Sequence, residues 1–431
     1  MNPLIESFIQ QHAALPEPLR VAASREDALA ALQRDGMPGP RSEPWKYTSL
    51  RALAQRRYRR ADSCALDAAA RERVLAVPAP RIVLVNGRFD ADLSVLSGLP
   101  EGARLRPLSA LLGEGDEGSR DLAALARRFD GEDALFPRVN AALAEDGCWL
   151  QLDASVVAEA PLHVVHVSTA TDADVSWHLR SLVELRENAR LSLCEHYIAA
   201  NSHRHLGSSV LHVHLKQGAQ LEQLSLQQES AGSALFRRTE ALVAAGADYR
   251  RLELELGAGL SRHELNVSLQ GGGARLQADG VLLGEGKAHL DTRLGIDHAL
   301  PGTRSSMTWR GLGRGQSRVA FHGGILIREG ADDSDAMLSN KNLLLSEQAE
   351  IDTQPVLVIH ADEVKAAHGA TVGRLDPTAL FYLRTRGLPE AEAQALLTEA
   401  FCLELIGALD SPALREIAEG ALRAALGGAG Q

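Results

Sequence analysis

Cysteine is scarce and scattered in this sequence: four residues in 431, Cys64, Cys148, Cys194 and Cys402, with no C-x-x-C pair among them. That spacing fits neither a disulfide framework nor a zinc knuckle, and it excludes a four-cysteine cluster held by this chain alone. A G-x-x-x-x-G-K-[ST] phosphate loop is also missing. The nearest glycine clusters, GEGKAH at Gly284 to His289 and GLGRGQSR at Gly311 to Arg318, have the wrong spacing, so no nucleotide hydrolysis is expected. No run of about 18 apolar residues occurs. The opening MNPLIESFIQQHAALPEPLR lacks a basic region leading into an apolar core, and a cytoplasmic protein without a membrane role is expected. Positive charge is in deficit too. A net charge of -11 argues against nonspecific affinity for nucleic acid or anionic membranes.

What is present is a soluble globular composition, 45% hydrophobic and 23% charged, long enough to bury a sizeable core. Three regimes follow one another. Residues 1–147 look helical in parts, at LIESFIQQHAAL, at a segment opening on a Ser24/Asp27 capping pattern, and at SRDLAALARRF, with a short strand pair around IVLVNGRFD. The Pro/Gly-rich GMPGPRSEPWKY interrupts them. Residues 148–376 alternate apolar and polar positions in short runs such as WLQLDASV, RLSLCEHY and VLHVHLKQG, the pattern of strands. Within them a signature of turn residue, Ala, polar, apolar recurs at Asn188, Gly218, Gly246 and Gly273, with no helix between. A globular sandwich alternates as well, but it does not require one turn signature at one spacing. The expected fold is mainly β, a right-handed parallel β-helix core flanked by N-terminal and C-terminal α-helical regions. Residues 377–431 return to helix, with Pro389 in a first turn and Ser411-Pro412 as cap and first helical position. Ala393, Leu396, Leu397, Ala400, Phe401 and Leu405 recur at helical spacing, a face for a partner or for the end of the solenoid.

Several constellations invite chemistry. His212 and His214, two apart on a strand, project from one face and could hold a metal or simply decorate an exposed strand. His203 and His205 repeat the spacing in a loop. Cys194 and His196 share a strand face while Glu195 points the other way, which suits a soft metal, a nucleophile or a buried structural cysteine. Asp332, Asp333 and Asp335 read either as a solvated turn or as the carboxylates of a β-helical carbohydrate-active enzyme.

The run from Gly323 to Phe401 resembles the SufB/SufD family of iron–sulfur cluster assembly proteins. The resemblance rests on NKNLLLS at Asn340 to Ser346, on the ADEVKAAHGATVG block and on FYLRTRG, and SEPWKYTSL at Ser42 to Leu50 resembles the SufD branch. It is strong over residues 310 to 405 and weaker through the solenoid. It implies a non-catalytic or assembly-active subunit of a SufBCD-type complex, paired with SufB through the β-helices. It further implies binding of SufC, an ABC-type ATPase, through C-terminal helices bearing Phe381, Tyr382, Leu397 and Phe401, so that energy coupling comes from a partner. Implied with these are a transient Fe–S cluster or iron shared with SufB, help in iron acquisition, and a reduced flavin at the complex. A homodimer when the chain is alone is a further state. By the same resemblance the histidine of the HGATVG block, His368, is the candidate cluster or iron ligand, or an interface histidine that orients the partner. The family often carries a cysteine where this chain has Ala366, so the partner's thiolates would complete any ligation. His360 reads as a solenoid residue, and Trp45 and Tyr47 as packing or as a docking element.

Overall fold

The computed structural model describes residues 2–17, 23–39, 41–112, 129, 131 and 134–427. The helix expected over SRDLAALARR lies outside the described residues. From Cys148 to Gly373 the chain winds as a parallel β-solenoid of about eight turns, because consecutive strands alternate between two sheets and each pairs with the next but one. Thus Leu206–Leu215 lies between Val175–Leu185 and Ala234–Val243, while Gln220–Gln228 lies between Arg190–Ala199 and Asp248–Glu255. Each sheet reaches back into the N-terminal region. Ala103–Pro107 pairs antiparallel with Cys148–Leu152, and Arg81–Val85 pairs parallel with Leu162–Ser168 and antiparallel with Arg88–Phe89, the strand pair expected around IVLVNGRFD.

The repeated turn signature is a left-handed backbone position. Asn188, Gly218, Gly246 and Gly273 have φ of 58, 68, 66 and 74°, and Gly302 extends the series at 67°. Glycine, or the asparagine that tolerates this region, is what one such turn per coil requires. The turns also bond to one another: the N–H of Asn188, Gly218, Gly246 and Gly273 donate to the carbonyls of Gln217, Ala245, Gly272 and Gly302. A continuous hydrogen-bonded column therefore runs down one corner of the solenoid.

Alternation sends one side of every strand into a single core between the sheets, which includes Leu191, Leu221, Tyr249, Leu276 and Phe321. A Cβ on Gly280 would stand 2.3 Å from the Trp309 ring, so this coil closes only around glycine. The opposite sides need cover. The helices Pro3–Ala13, Ala23–Asp35 and Leu135–Leu143 join Trp45 on Leu206, Ala234 and Phe236 of one sheet. Trp45 stacks under the Arg262 guanidinium at 3.9 Å, so this landmark ties the N-terminal region to the solenoid as packing. The described helix starts at Ala23, which leaves Ser24 inside its first turn rather than at a cap.

The C-terminal helices correct one expectation. Instead of closing the solenoid's end, Glu390–Ile406 and Pro412–Gly427 lie along its side, over Leu224, Leu226, Leu252, Leu254, Val281, Leu283 and Leu312. The physical reason is that successive coils of this sheet present leucine and valine outward, an apolar strip whose burial is worth about 1.5–3 kcal/mol per side chain. Their contact face is Ala393, Cys402, Leu405, Ile406, Leu414, Ala418, Leu422 and Leu426. Leu396 points to solvent. Pro389 caps the first of these helices rather than entering its first turn, and Ser411 Oγ caps the second through Leu414 N. Among the described residues no helix is long and apolar enough to cross a membrane.

Candidate functional site

With the helices on its side, the last coil of the solenoid stays open. Its strands, Glu350–Ile359 and Lys365–Gly373, end their sheets and are paired on one side only. Lys365 N bonds inward to Ser334 O, and in a parallel ladder alternate residues bond the same way. The N–H groups of Ala366, His368, Ala370 and Val372 therefore face outward along a free edge. On the other strand Glu350 N and His360 N bond inward, to Ser317 O and Ile327 O, so the outward positions are odd-numbered and Pro355 is one of them. A proline there offers no donor and blunts that edge. Of the two open edges, only Lys365–Gly373 keeps every outward donor.

His368 sits on this edge. Through the register Ala278, Met307, Leu338, His368 it continues a column whose earlier members fill the core, and it is exposed because no coil follows. Its same-face neighbours along the strand, Ala366 and Ala370, are small and leave the imidazole at the mouth of the solenoid. Among the described residues no hydrogen bond ties it down. The NKNLLLS landmark lies one coil beneath. Buried Asn342 donates to Asn340 Oδ1 (2.6 Å) and Thr371 O (3.0 Å), and Thr353 Oγ1 donates to Asn340 Oδ1 (2.7 Å). These two asparagines brace both open-edge strands from inside, a role that sequence spacing did not reveal. His360 follows the other edge strand, at the turn, as a solenoid residue.

Apolar side chains gather on the surface of this last part of the chain: Val358, Ile359 and Val372, then Phe381 at 68% and Tyr382 at 56% exposure on the helix Pro377–Thr385, and Leu396. Leu397 and Phe401 differ from them, being half-buried, with Phe401 packed on the solenoid under Arg310 at 5.0 Å. Asp332 and Asp333 form a turn at the open end, and Asp335 begins the strand Asp335–Leu344 that follows it. Asp333 takes a left-handed φ of 57° and donates its N–H to Glu363 O, while Asp335 lies in register between Arg304 and Lys365. Asp335 is thus flanked by cations in the ladder.

Apart from the exposed His360 and the half-buried His214, His289 and His322, the other histidines are buried. His212 stands on the outer face of its strand opposite Leu211 and Val213, as alternation requires, but Phe129 covers it, so the expected exposed pair is not there. His203 and His205 stack at 4.6 Å in a packed turn, with His203 Nε2 3.1 Å from Glu229 and His205 Nε2 2.9 Å from Thr169 O. Cys194 and His196 share the outer face, and Glu195 turns inward to accept from Gln223 Nε2. Sequence reasoning missed their third companion. His163 is in register with Cys194 on the adjacent coil, and its Nδ1 lies 3.1 Å from His196 Nε2. Burial lowers His163 to about 4 and His196 to about 3, and raises the Cys194 thiol. Both rings are thus neutral near pH 7. Inside the solenoid Glu253, Glu255 and His263 also converge, yet Arg237 pairs with both carboxylates and Arg251 lies 2.7 Å from Glu253, so that group is already neutralised.

Two family profiles match the chain: the SUF system FeS cluster assembly, SufBD core domain over residues 166–401, and the SufBD protein N-terminal region over residues 4–164. The chain is 27% identical over 395 residues to the iron-sulfur cluster assembly protein SufD of Escherichia coli (strain K12), covering 90% of this chain and 89% of that one. It is likewise 27% identical over 416 residues to the iron-sulfur cluster assembly SufBD family protein slr0076 of Synechocystis sp., covering 91% and 90%. The SufD of Bacillus subtilis (strain 168) is 27% identical over 279 residues, 63% of this chain and 62% of that one.

Proposed function

The chain belongs to the SufBD family of SUF-system iron–sulfur cluster assembly proteins, as a SufD-type member, and on that premise we propose that it works by pairing its open coil with a second solenoid. The partner is of the SufB kind. The observation that carries this reading is the asymmetry of the open end: one edge strand blunted by Pro355, the other keeping all its outward donors and braced by Asn340 and Asn342. An incoming strand laid along Lys365–Gly373 continues the sheet by main-chain hydrogen bonds, the recognition mode that an unpaired edge supplies. Such pairing sets the junction over His368. Its imidazole, unencumbered by neighbours, then serves as one ligand to iron or to a nascent cluster that is cargo of the complex, and the partner's thiolates complete the set, since position 366 is alanine here.

The helix Pro377–Thr385 and the outer side of Glu390–Ile406 form the second docking surface, for a SufC-type ATPase. Phe381 and Tyr382 are its anchors, exposed aromatics of the kind that dominate interfaces. Phe401 supports it from beneath by fixing the helix on the solenoid, and the half-buried Leu397 lies on the same helix. Residues 1–147, 148–376 and 377–431 divide these tasks into a covering region, a pairing core and an ATPase-docking tail. Co-expression with SufB-type and SufC-type partners tests the reading. Recovery of all three from a tag on this chain supports it, and a chain that elutes alone at micromolar concentration contradicts it.

A further inference from the structure

We propose that His163, Cys194 and His196 form a buried trigonal site for one monovalent thiophilic cation of the Cu+ class, separate from the open end. The ligand atoms lie within 4.8 Å of one another. Coil stacking brings them together: His163 is opposite Cys194 in register, His196 follows two residues on, and all three point away from the solenoid core. Apart from Arg81, which is in register with His163, the register around them is apolar, with Val165 beside His196 and Leu224 and Leu226 on the far side of Cys194 and His196. They sit at the seam between two coverings, the C-terminal helices over Cys194 and the helix Ala68–Leu75 over Val165.

The donor set and the charge balance choose the ion. Two imidazoles and one thiolate are soft to intermediate ligands, suited to copper and zinc rather than to magnesium or calcium. Binding replaces the Cys194 thiol proton, which leaves for solvent, with one cation, and moves the imidazole proton shared by His163 and His196 onto a ring nitrogen that does not ligate. With a monovalent ion the buried site stays neutral. A divalent ion would leave one net positive charge among apolar side chains, next to Arg81, which is in register with His163 and has its guanidinium fixed on Leu93 O and Val77 O. An uncompensated buried charge is strongly penalised, and zinc further wants a fourth donor.

The test is a titration of the full-length reduced chain with Cu+, without oxygen, in competition with bathocuproine disulfonate, followed by X-ray absorption. The expected result is one Cu+ per chain with a nitrogen–sulfur shell. Cys194→Ser and His163→Gln, each checked for native circular dichroism, should lose affinity by more than the roughly 10–100-fold that an outer-shell partner contributes. Cys64→Ser, at the least buried cysteine, should bind as wild type. Absence of 1:1 competition, retention of Cu+ by a folded His163→Gln chain, or preference of this cluster for Zn2+ would each overturn the proposal.

Discussion

A proline placed at Ala370 separates the edge from the fold. Ala370 N–H points outward on the last strand, so its loss removes no bond within the chain. Gly369 precedes it with open space on the side where a Cβ would stand, so the steric restriction that proline puts on its predecessor is easily met. Stability should change by no more than about 1 kcal/mol, the tolerance of edge positions. Pairing is different. An incoming strand must come to about 4.8 Å, where the pyrrolidine ring now stands, and it loses one main-chain bond of about 0.5–1.5 kcal/mol. With the steric term the total comes to about 3 kcal/mol, roughly 100-fold in Kd. Thr371→Pro is the control, because its N–H is an inward one and its loss should cost about 3 kcal/mol of folding stability. Calorimetric titration with the SufB-type partner, alongside thermal unfolding, measures both. If Ala370→Pro binds as tightly as wild type, the edge is not the pairing surface.

Phe381→Ala with Tyr382→Ala should leave the melting temperature within about 2 °C, as exposed substitutions do, while ATPase retention in a pull-down falls at least about tenfold. Truncation after Val372 abolishes retention as well, but it also uncovers seven outward leucines and valines, so its loss of soluble yield should exceed that of the double variant. Burial holds His166 and His178 at about 3, below the unfolded value, so their contribution is complete above pH 6.5 and is lost as pH falls. Between pH 7 and 5 each should cost about 2 kcal/mol, read by urea unfolding. Burial raises Asp279 to about 6, above its unfolded value, and here stability is lost as pH rises through 6. Asp279→Asn should therefore stabilise by about 1–2 kcal/mol at pH 7 and by nothing at pH 4. Gly280→Ala should cost about 1–3 kcal/mol, because its Cβ meets the Trp309 ring.

The solenoid could be read from sequence because one backbone requirement, a left-handed residue at each corner, repeats as Asn or Gly followed by Ala. Placement of the C-terminal helices could not. An apolar helix face says that something must be covered, and only the assembled sheet presents the strip from Leu224 to Leu312 that it covers. His163 went unseen for a related reason: it stands 31 residues before Cys194, and only the coil period makes the two neighbours. Pro355 carried a usable signal, since proline inside an apolar alternating run marks an edge strand. Of the resembling landmarks, the asparagines of NKNLLLS show how a motif can be conspicuous in sequence and structural in action, bracing the coil on which His368 stands.

The most direct measurement is the iron and acid-labile sulfide content of the complex with its SufB-type and SufC-type partners, purified without oxygen, for wild type and His368→Ala at matched composition. The open-end account predicts that iron and sulfide fall while the subunits stay together. Unchanged iron and sulfide in an intact complex would contradict it, and would leave His368 as a residue of the interface alone.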